Sequence, residues 1–340
     1  MSDKRYLGNI ITPNPTEPAG PYENDAASGV WSLNEAFTYM KAGLWPTAGN
    51  TQRAIFGGGN TGSSTSVIDY VSISTTGNAA SFGSLSGSRY YLGACASTTR
   101  GVFGGGYTPL TVNLIDYITI QSSGTASDFG DLTASRYSLA SCSNDVRGLF
   151  LGGTAGGATN IIDSISIASE GNATDFGDLY QAAQQPAGCA SPTRGIVFGG
   201  DVSGRINTIQ YVSIASAGNS SDFGDLLVAR ARMAACSTQT RGISAGGYES
   251  GRVNTVEYVT IASTGNATDF GDLTSARAYV SGASSATRGV FGGGDDGSGY
   301  GSTRIDYITM ATTGNAAVFG NLSVKREGLA ACSDAHGGLA

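Results

Sequence analysis

The amino-acid sequence predicts an all-β protein, a six-bladed β-propeller closed by its C-terminal strand and preceded by an extended arm and one short helix. Arginines recur every 47 residues, and each opens an apolar stretch that ends in glycines. Each unit also contains four short segments rich in β-branched, aromatic and turn residues. Four short strands at a period near 47 are typical of propeller blades. The recurring arginines are Arg53, Arg100, Arg147, Arg194, Arg241 and Arg288.

The four segments keep the same order in every unit. In the first unit the glycine-ending stretch is RAIFGGG, the second segment is VIDYVSIS, the third ends in FGSL and the fourth is YLGACAS. Six copies of each segment occur, and no helical period appears after residue 52. The sequence therefore predicts six four-stranded blades.

The repeats also indicate how the ring closes. The unit that begins at Arg53 lacks a preceding run of small residues, whereas the last unit supplies a spare run at residues 328–333. We expect this run to pair into the first blade, because closure removes the exposed edge of an open array. Residues 53–340 are predicted to form one domain.

The repeated arginines are predicted to pair with carboxylates inside each blade. Two antiparallel strands joined by the glycine loop place Arg53 nearly opposite Asp69. The other units have Asp116, Asp163, Gln210, Glu257 and Asp306 at the position of Asp69. The alternative is a ring of arginines that binds an anion.

No catalytic group, cofactor or metal ion is predicted. Four of the five cysteines are spaced by 47 residues, alternation along their strand points them at a neighbouring blade, and no C-x-x-C spacing supports zinc. We therefore expect buried free thiols. The aspartates of the DFGD segments favour a turn role over a Ca²⁺ site. The single histidine, His336, excludes most histidine-based chemistry.

The loops that follow the glycines differ in every unit and are the candidate contact surface. In an antiparallel blade these loops share one face with the links between blades. Binding residues concentrate on loops that a rigid scaffold positions. The alternative is drift in unconstrained loops. The binding-face candidates are Tyr107, Arg205, Tyr248, Arg252, Asp295 and Tyr300.

The N-terminal residues differ in character from the repeats. Residues 1–30 hold four of the eight prolines and are predicted to form an extended arm. Residues 31–46 are predicted to form a short amphipathic helix and linker, with Ser32 and Glu35 as a capping box. This helix packs on its own propeller, or it docks into a larger assembly. The anchor candidates are Trp31, Leu33, Phe37, Met40 and Trp45.

The repeat resembles kelch repeats over about five-sixths of the chain. The shared features are a strand that ends in paired glycines, a strand that carries a Tyr, and a short outer strand. The Trp of the kelch outer strand is replaced here by the Phe of the FGDL segment, as at Phe129 and Phe176. The resemblance implies that the small-residue strand is innermost, where the blades converge.

A second resemblance covers about twenty residues. The segment Ala27 to Ala36, followed by Gly43 to Pro46, is similar to segments in virion proteins of tailed bacteriophages. The resemblance implies a non-enzymatic virion structural protein, made in the host cytoplasm and present as a homo-oligomer or in many copies. Its arm would contact other virion proteins. Its propeller, displayed on the tail or particle surface, would make assembly contacts or adsorb to a host glycan or protein.

Two alternatives remain open: a glycan-degrading propeller, and a bacterial kelch-like adaptor or lectin. Against an enzyme, no S-x-D-x-G-x-T-W box occurs, although Asp295 or Glu249 would satisfy the need of a glycosidase for carboxylates. A net charge of −7 with scattered cations argues against nucleic-acid binding. No apolar run approaches the roughly 18–20 residues of a membrane helix, so no membrane insertion is expected.

Overall fold

The computed structural model describes residues 52–339 and two short strands near the N-terminus, Arg5–Tyr6 and Val30–Trp31. The chain divides into two compact units, Met1–Gln52 and Arg53–Ala340.

In the first unit the two short strands pair antiparallel, with Arg5 opposite Trp31. Apart from Trp31, the predicted helix over residues 31–46 lies outside the described residues. The same holds for the other anchor candidates, which are Leu33, Phe37, Met40 and Trp45.

The second unit is a six-bladed β-propeller, as predicted. Each blade is an antiparallel sheet with an inner, a second, a third and an outer strand, and the inner strands contact one another in a closed ring. In blades 1 to 6 the inner strands are Ala330–Ser333, Gly93–Ala96, Ala140–Ser143, Ala187–Ala190, Ala234–Ser237 and Ser281–Ser284. The second strands are Arg53–Gly57, Arg100–Gly104, Arg147–Leu151, Arg194–Asp201, Arg241–Ala245 and Arg288–Gly292. The third strands are Val67–Ser72, Leu114–Thr119, Ile161–Ser166, Arg205–Ser213, Thr255–Thr260 and Ser302–Thr309. The outer strands are Ala80–Ser84, Ser127–Asp131, Thr174–Asp178, Ser221–Asp225, Thr268–Asp272 and Ala317–Arg326.

The C-terminal strand closes the ring, which confirms the predicted closure. Ala330–Ser333 pairs antiparallel with Arg53–Gly57 and places Ser333 opposite Ala54. The two-residue strand Gly124–Thr125 pairs in parallel with the outer strand of blade 1. It precedes the outer strand of blade 2 in the chain and so connects blades 1 and 2.

The strand order gives the propeller two distinct faces. The loops between second and third strands lie on the same face as the links that join one blade to the next, and this is called the loop face. The turns between inner and second strands, and between third and outer strands, lie on the opposite face, called the turn face. Arg53, at the start of a second strand, lies on the turn face.

The second strands pack on one another by matching a large residue with a small one. Phe150 lies against Gly104 of the preceding blade so closely that a Cβ on Gly104 would be 2.6 Å from its ring. Where blade 3 has Leu151 at the glycine position, blade 4 has Val197 at the phenylalanine position, and the two lie in one buried cluster. The interior is close-packed, so a larger side chain at one of the two paired positions is matched by a smaller side chain at the other.

The inner strands follow the same rule with smaller residues. All five cysteines are free and buried. Each thiol faces a glycine of the next blade, and a Cβ on Gly148 would lie 2.6 Å from Cys95 Sγ. Blade 6 has Ala283 in place of cysteine, and its neighbour in blade 1 is Ala54 in place of glycine. Burial raises the pKa of each thiol, that of Cys189 to about 12, so the predicted inert thiols are confirmed as buried and free.

The predicted pairing of Arg53 with Asp69 is wrong. Arg53 begins its strand opposite Ser72, whereas Asp69 lies opposite Phe56. The Arg53 guanidinium lies over the Tyr70 ring, 4.4 Å from its centroid, and donates to the Ile120 carbonyl of the next blade at 3.0 Å. The corresponding arginines of the other five blades donate to the equivalent carbonyl in the same way. These arginines therefore join neighbouring blades on the turn face.

The buried carboxylates pair instead with arginines of the links between blades. Arg136 Nη2 lies 2.8 Å from Asp163 Oδ2, and both side chains are completely buried. Thr133 on the same link donates its backbone N–H and its hydroxyl to Asp163. Four further blades hold the pairs Arg89–Asp116, Arg230–Glu257, Arg277–Asp306 and Arg326–Asp69. These five ion-paired arginines are therefore internal and do not belong to the contact surface of the loop face.

Blade 4 lacks both members of this ion pair. Ala183 occupies the arginine position and Gln210 the carboxylate position. Gln210 Oε1 accepts the backbone N–H of Gln181 at 2.9 Å, and its Nε2 donates to the Gln181 carbonyl at 2.9 Å. The simultaneous change is expected physically, because either charge buried alone is strongly destabilising.

Candidate functional site at the mouth of the central channel

The inner strands surround a narrow central channel. Serine hydroxyls tie neighbouring strands together, as where Ser143 Oγ donates to the Ala96 carbonyl at 2.7 Å. The free space is small: about 50 Å³ near the turn face, about 110 Å³ along the axis and about 70 Å³ at the loop face. The channel therefore offers no room for a large ligand.

Residues 334–339 fill the turn-face end of the channel. His336 Nε2 lies 2.9 Å from the Ala96 carbonyl, while Nδ1 accepts the Gly338 N–H at 3.1 Å. These partners indicate a neutral ring protonated on Nε2. Gly337 N–H donates to the Ser237 carbonyl at 3.0 Å, and the Leu339 carbonyl accepts from Gln239. Burial lowers the pKa of His336.

We expect this docked segment to loosen as the pH falls. The pKa of His336 is depressed below its ordinary value of about 6.5, so its contribution to docking is complete above that pH and is lost at lower pH as the ring takes up a proton. Hydrogen-exchange protection of Gly337 and Gly338, corrected for intrinsic rates, should decrease between about pH 7.5 and about pH 5. His336→Gln should remove this pH dependence. Equal protection at both pH values would contradict the assignment.

The loop-face end carries a ring of residues with left-handed backbone conformation. These residues, called the mouth ring, each lie two positions before an inner strand and are Tyr91, Ser138, Gln185, Arg232, Tyr279 and Gly328. Their φ angles lie between 55° and 63°. Each backbone N–H donates to the carbonyl of the preceding member, at 2.6 to 3.2 Å, and the six bonds form a closed circle. The backbone of the mouth is thus the same in every blade.

The side chains of the mouth ring differ although the backbone is constant. Left-handed conformation favours glycine and costs other residues about 1–2 kcal/mol. Only Gly328 follows this preference, whereas the five other members carry side chains that line the cavity of about 70 Å³. Retention of strained, non-identical side chains on a repeated backbone is typical of a functional site. We therefore regard the mouth ring as the candidate site.

Gly328 allows two tyrosines to meet across the mouth. A Cβ on Gly328 would lie 2.5 Å from the Tyr91 ring, so any other residue here would displace Tyr91. The ring centroids of Tyr91 and Tyr279 are 4.8 Å apart. Burial, followed by the neighbouring Tyr279, raises the pKa of Tyr91, so this hydroxyl remains protonated.

Arg232 is held rigidly beside the two tyrosines. Its guanidinium carbon lies 4.9 Å from the Tyr248 ring centroid and 4.8 Å from that of Tyr279. Its Nε donates to Gln185 Oε1 at 2.9 Å, and Gln185 Nε2 lies 3.4 Å from the Tyr279 hydroxyl. No salt bridge of the described residues includes Arg232. Within the part of the chain that the structure describes, the terminal nitrogens of Arg232 thus form no salt bridge with a carboxylate.

A second aromatic group extends the mouth toward the loops of blades 2 and 3. The Tyr90 and Tyr91 ring centroids are 4.7 Å apart, and Tyr107 lies 5.5 Å from Tyr90 and 5.3 Å from Tyr137. All four rings are half-buried. Together with Tyr279 they form a continuous aromatic surface beside the polar groups of Gln185 and Arg232.

Three of the predicted contact residues lie in or beside this surface. Tyr107 belongs to the aromatic group, and Arg205 lies over the Tyr248 ring at 4.8 Å, so that Tyr248 links it to Arg232.

The other three predicted residues lie elsewhere on the loop face. Arg252 and Asp295 form a salt bridge of 2.7 Å. Tyr300 is 58% exposed and lies near Gly62 of blade 1. All three candidates lie on the loop face, and their contact role stays a prediction.

Sequence reasoning missed the mouth ring itself. Five of its members are spaced by 47 residues, and they vary where the flanking positions are repeated. That combination of regular spacing and side-chain variation was the available signal.

The acidic groups near the mouth modify its charge. Glu327 precedes Gly328, is half-buried and lies 3.3 Å from Asn60 Nδ2. Burial, followed by the charge of Asp295, raises the pKa of Glu327. Near Arg232 and Arg252, one carboxylate, Asp295, is paired with Arg252, and the ionisation of the other, Glu327, is disfavoured by burial.

The aspartates of the DFGD segments do not contribute to this site, and their predicted turn position is wrong. They lie in the outer strands, where Asp128 is opposite Asp116 and a bulge follows at Phe129. In residues 52–339, no group of three or more His, Cys, Asp and Glu side chains is suited to a metal ion.

Comparison of the chain with models of known protein families and with curated protein sequences finds no match. Within the part of the chain that the structure describes, no helix is long and apolar enough to cross a membrane.

Proposed function

We propose that this protein is a non-enzymatic virion structural protein whose propeller binds a partner through the loop face. The observation that carries the binding role is the mouth ring, where different side chains are kept on a constant, strained backbone. The six-bladed propeller is consistent with an interaction role. The contacts are made with other particle proteins or with a host-surface glycan or protein, and no catalytic step is involved.

The virion assignment is supported by the resemblance of Ala27 to Ala36 to virion proteins of tailed bacteriophages. In this proposal residues 1–50 bind other virion proteins, and several copies are displayed on the tail or another exposed part of the particle. The mouth ring lies on the loop face of the propeller, outside residues 1–50. Attachment and recognition thus use different parts of the chain.

We expect deletion of residues 1–50 to abolish incorporation into particles while the propeller stays folded. The measurement is the copy number of the variant in purified virions, with thermal unfolding of the free variant as the control for folding. A chain with Tyr107→Ser and Tyr248→Ser is the matched variant, which should enter particles normally but adsorb poorly to host cells. Normal incorporation of the truncated chain would contradict the anchor role.

A competition experiment tests the recognition role separately. Purified full-length protein, added in excess, should reduce particle adsorption to host cells, because it occupies the same surface partner. The protein with Tyr107→Ser and Tyr248→Ser should compete less well. If neither the original protein nor the double variant reduces adsorption when added separately, the loop face does not mediate attachment.

A further inference from the structure

We propose that the mouth ring binds an acidic saccharide, with the sugar carboxylate on Arg232 and the sugar ring against the tyrosines. This inference rests on the proposed function and names the ligand class for the same face. The side chains that carry it are Tyr91, Ser138, Gln185, Arg232 and Tyr279, all of which line the mouth cavity.

The ligand must be recognised by side chains alone. The backbone N–H and carbonyl of each mouth-ring residue are both used in the closed circle of six hydrogen bonds. An extended peptide binds a sheet edge through main-chain hydrogen bonds, and the mouth offers no such edge. A compact ring with polar groups on its rim suits the site better than a peptide strand.

Arg232 provides the site for the carboxylate. The guanidinium is held between Tyr248 and Tyr279, and its Nε is occupied by Gln185. A planar guanidinium fixed in this way presents its terminal N–H groups as a fork that matches a carboxylate in two parallel hydrogen bonds. Because the position is already ordered, little side-chain entropy is lost on binding.

Ser138 provides an independent indication of a ligand. Its side chain is 7% exposed and lines the mouth cavity, and its Oγ has no hydrogen-bond partner among the described residues. A buried hydroxyl without a partner is unfavourable. A sugar hydroxyl is both a donor and an acceptor, so it satisfies Ser138 whichever way the serine proton points.

The tyrosines provide the apolar part of the site. The Tyr91 and Tyr279 rings are half-buried, so each retains exposed aromatic surface at the mouth. A pyranose presents C–H groups on its faces and hydroxyls on its edge, and it therefore suits an aromatic surface bordered by Gln185, Ser138 and Arg232. The acidic groups nearby are Asp295, paired with Arg252, the half-buried Glu327, and Asp201, which lies opposite Arg205 and bridges Gln184.

The test is binding of the full-length protein to an immobilised panel of glycans that contain uronic or nonulosonic acids, with neutral glycans and oligoglutamate as controls. We expect binding to acidic glycans only. Arg232→Gln should weaken that binding about 10- to 100-fold, since a charge-assisted pair is lost. The ring position tolerates glutamine, because Gln185 adopts the same left-handed conformation. Lys325→Gln removes one exposed positive charge from the outer strand of blade 6 and should have no effect.

Several results would overturn the inference: no acidic glycan bound above the neutral ones, equal binding of oligoglutamate, or equal effects of Arg232→Gln and Lys325→Gln. If Arg232→Gln unfolds the protein, Arg232→Lys keeps the charge without the fork and should give an intermediate affinity. Failure on the glycan panel while the protein still competes for host cells would leave the binding role standing and reject only the ligand class. Failure of both assays would reject the proposed function as well.

Discussion

Asp163→Asn should lower the free energy of unfolding of the propeller by about 3–5 kcal/mol. Asp163 and Arg136 are both completely buried, with 2.8 Å between Oδ2 and Nη2, so the substitution leaves a buried guanidinium without its counter-charge. The asparagine also weakens the two hydrogen bonds that Thr133 donates. The change is measured by urea unfolding, as a decrease in the midpoint at an unchanged slope.

Blade 4 supplies the matched control for this prediction. The double substitution Arg136→Ala and Asp163→Gln reproduces Ala183 and Gln210, where the glutamine bonds the backbone of Gln181 and accepts from the Ser220 hydroxyl. We expect the double variant to recover at least half of the lost stability, because no charge remains buried. Glu170→Gln, which breaks the exposed pair with Arg100 at 3.8 Å, should change stability by less than about 1 kcal/mol. A double variant less stable than Asp163→Asn would contradict this account.

Gly104→Leu should destabilise the propeller by about 3 kcal/mol or more. A Cβ on Gly104 lies 2.6 Å from Phe150 Cε1 and 2.7 Å from Cζ, so the added side chain enters space that the Phe150 ring already fills. Phe150 is completely buried and has no free volume into which to move. Thermal or urea unfolding measures the loss.

The neighbouring pair of blades shows how the loss should be rescued. Gly104→Leu combined with Phe150→Val transfers the Leu151 and Val197 arrangement to blades 2 and 3, and it should restore stability to within about 1.5 kcal/mol of the original. Gly87→Leu is the control for the glycine substitution itself, since a Cβ there meets nothing within 4 Å. If the double variant is no more stable than Gly104→Leu, the packing between blades does not depend on matched volumes.

Both experiments use the six repeats as an internal comparison. Where blade 6 has Ala283 at the cysteine position, blade 1 has Ala54 at the glycine position, and Ala183 at the arginine position accompanies Gln210 at the carboxylate position. In both cases a change at one position is accompanied by a change at the position paired with it.

The arginine that pairs with each buried carboxylate could not be predicted, because the pairing depends on strand register. The carboxylate at position 116 follows Arg100 by sixteen residues and Arg89 by twenty-seven, and both spacings recur in blades 3 and 5. Periodicity alone cannot choose between these arginines. The structure chooses Arg89, because Arg100 begins its strand opposite Thr119 and points away from the buried Asp116.

The mouth ring was missed for a related reason. Tyr91 and Arg232 come from different blades and belong to one site only after the ring has closed. The long loops supply Tyr107, Tyr248 and Arg205 to the margin of the mouth. The central residues lie instead at the ends of the links, two positions before the inner strands.

The number of blades, the closure by residues 330–333 and the burial of the cysteines could be predicted from the sequence. These features depend on local propensity and on a repeat period, both of which can be read along the chain. Three features required the folded structure: which arginine pairs with which carboxylate, which residue fills the space beside each glycine, and which side chains meet at the mouth. Those outcomes depend on strand register and on contacts between blades, where residues far apart in the chain are brought together by closure of the ring.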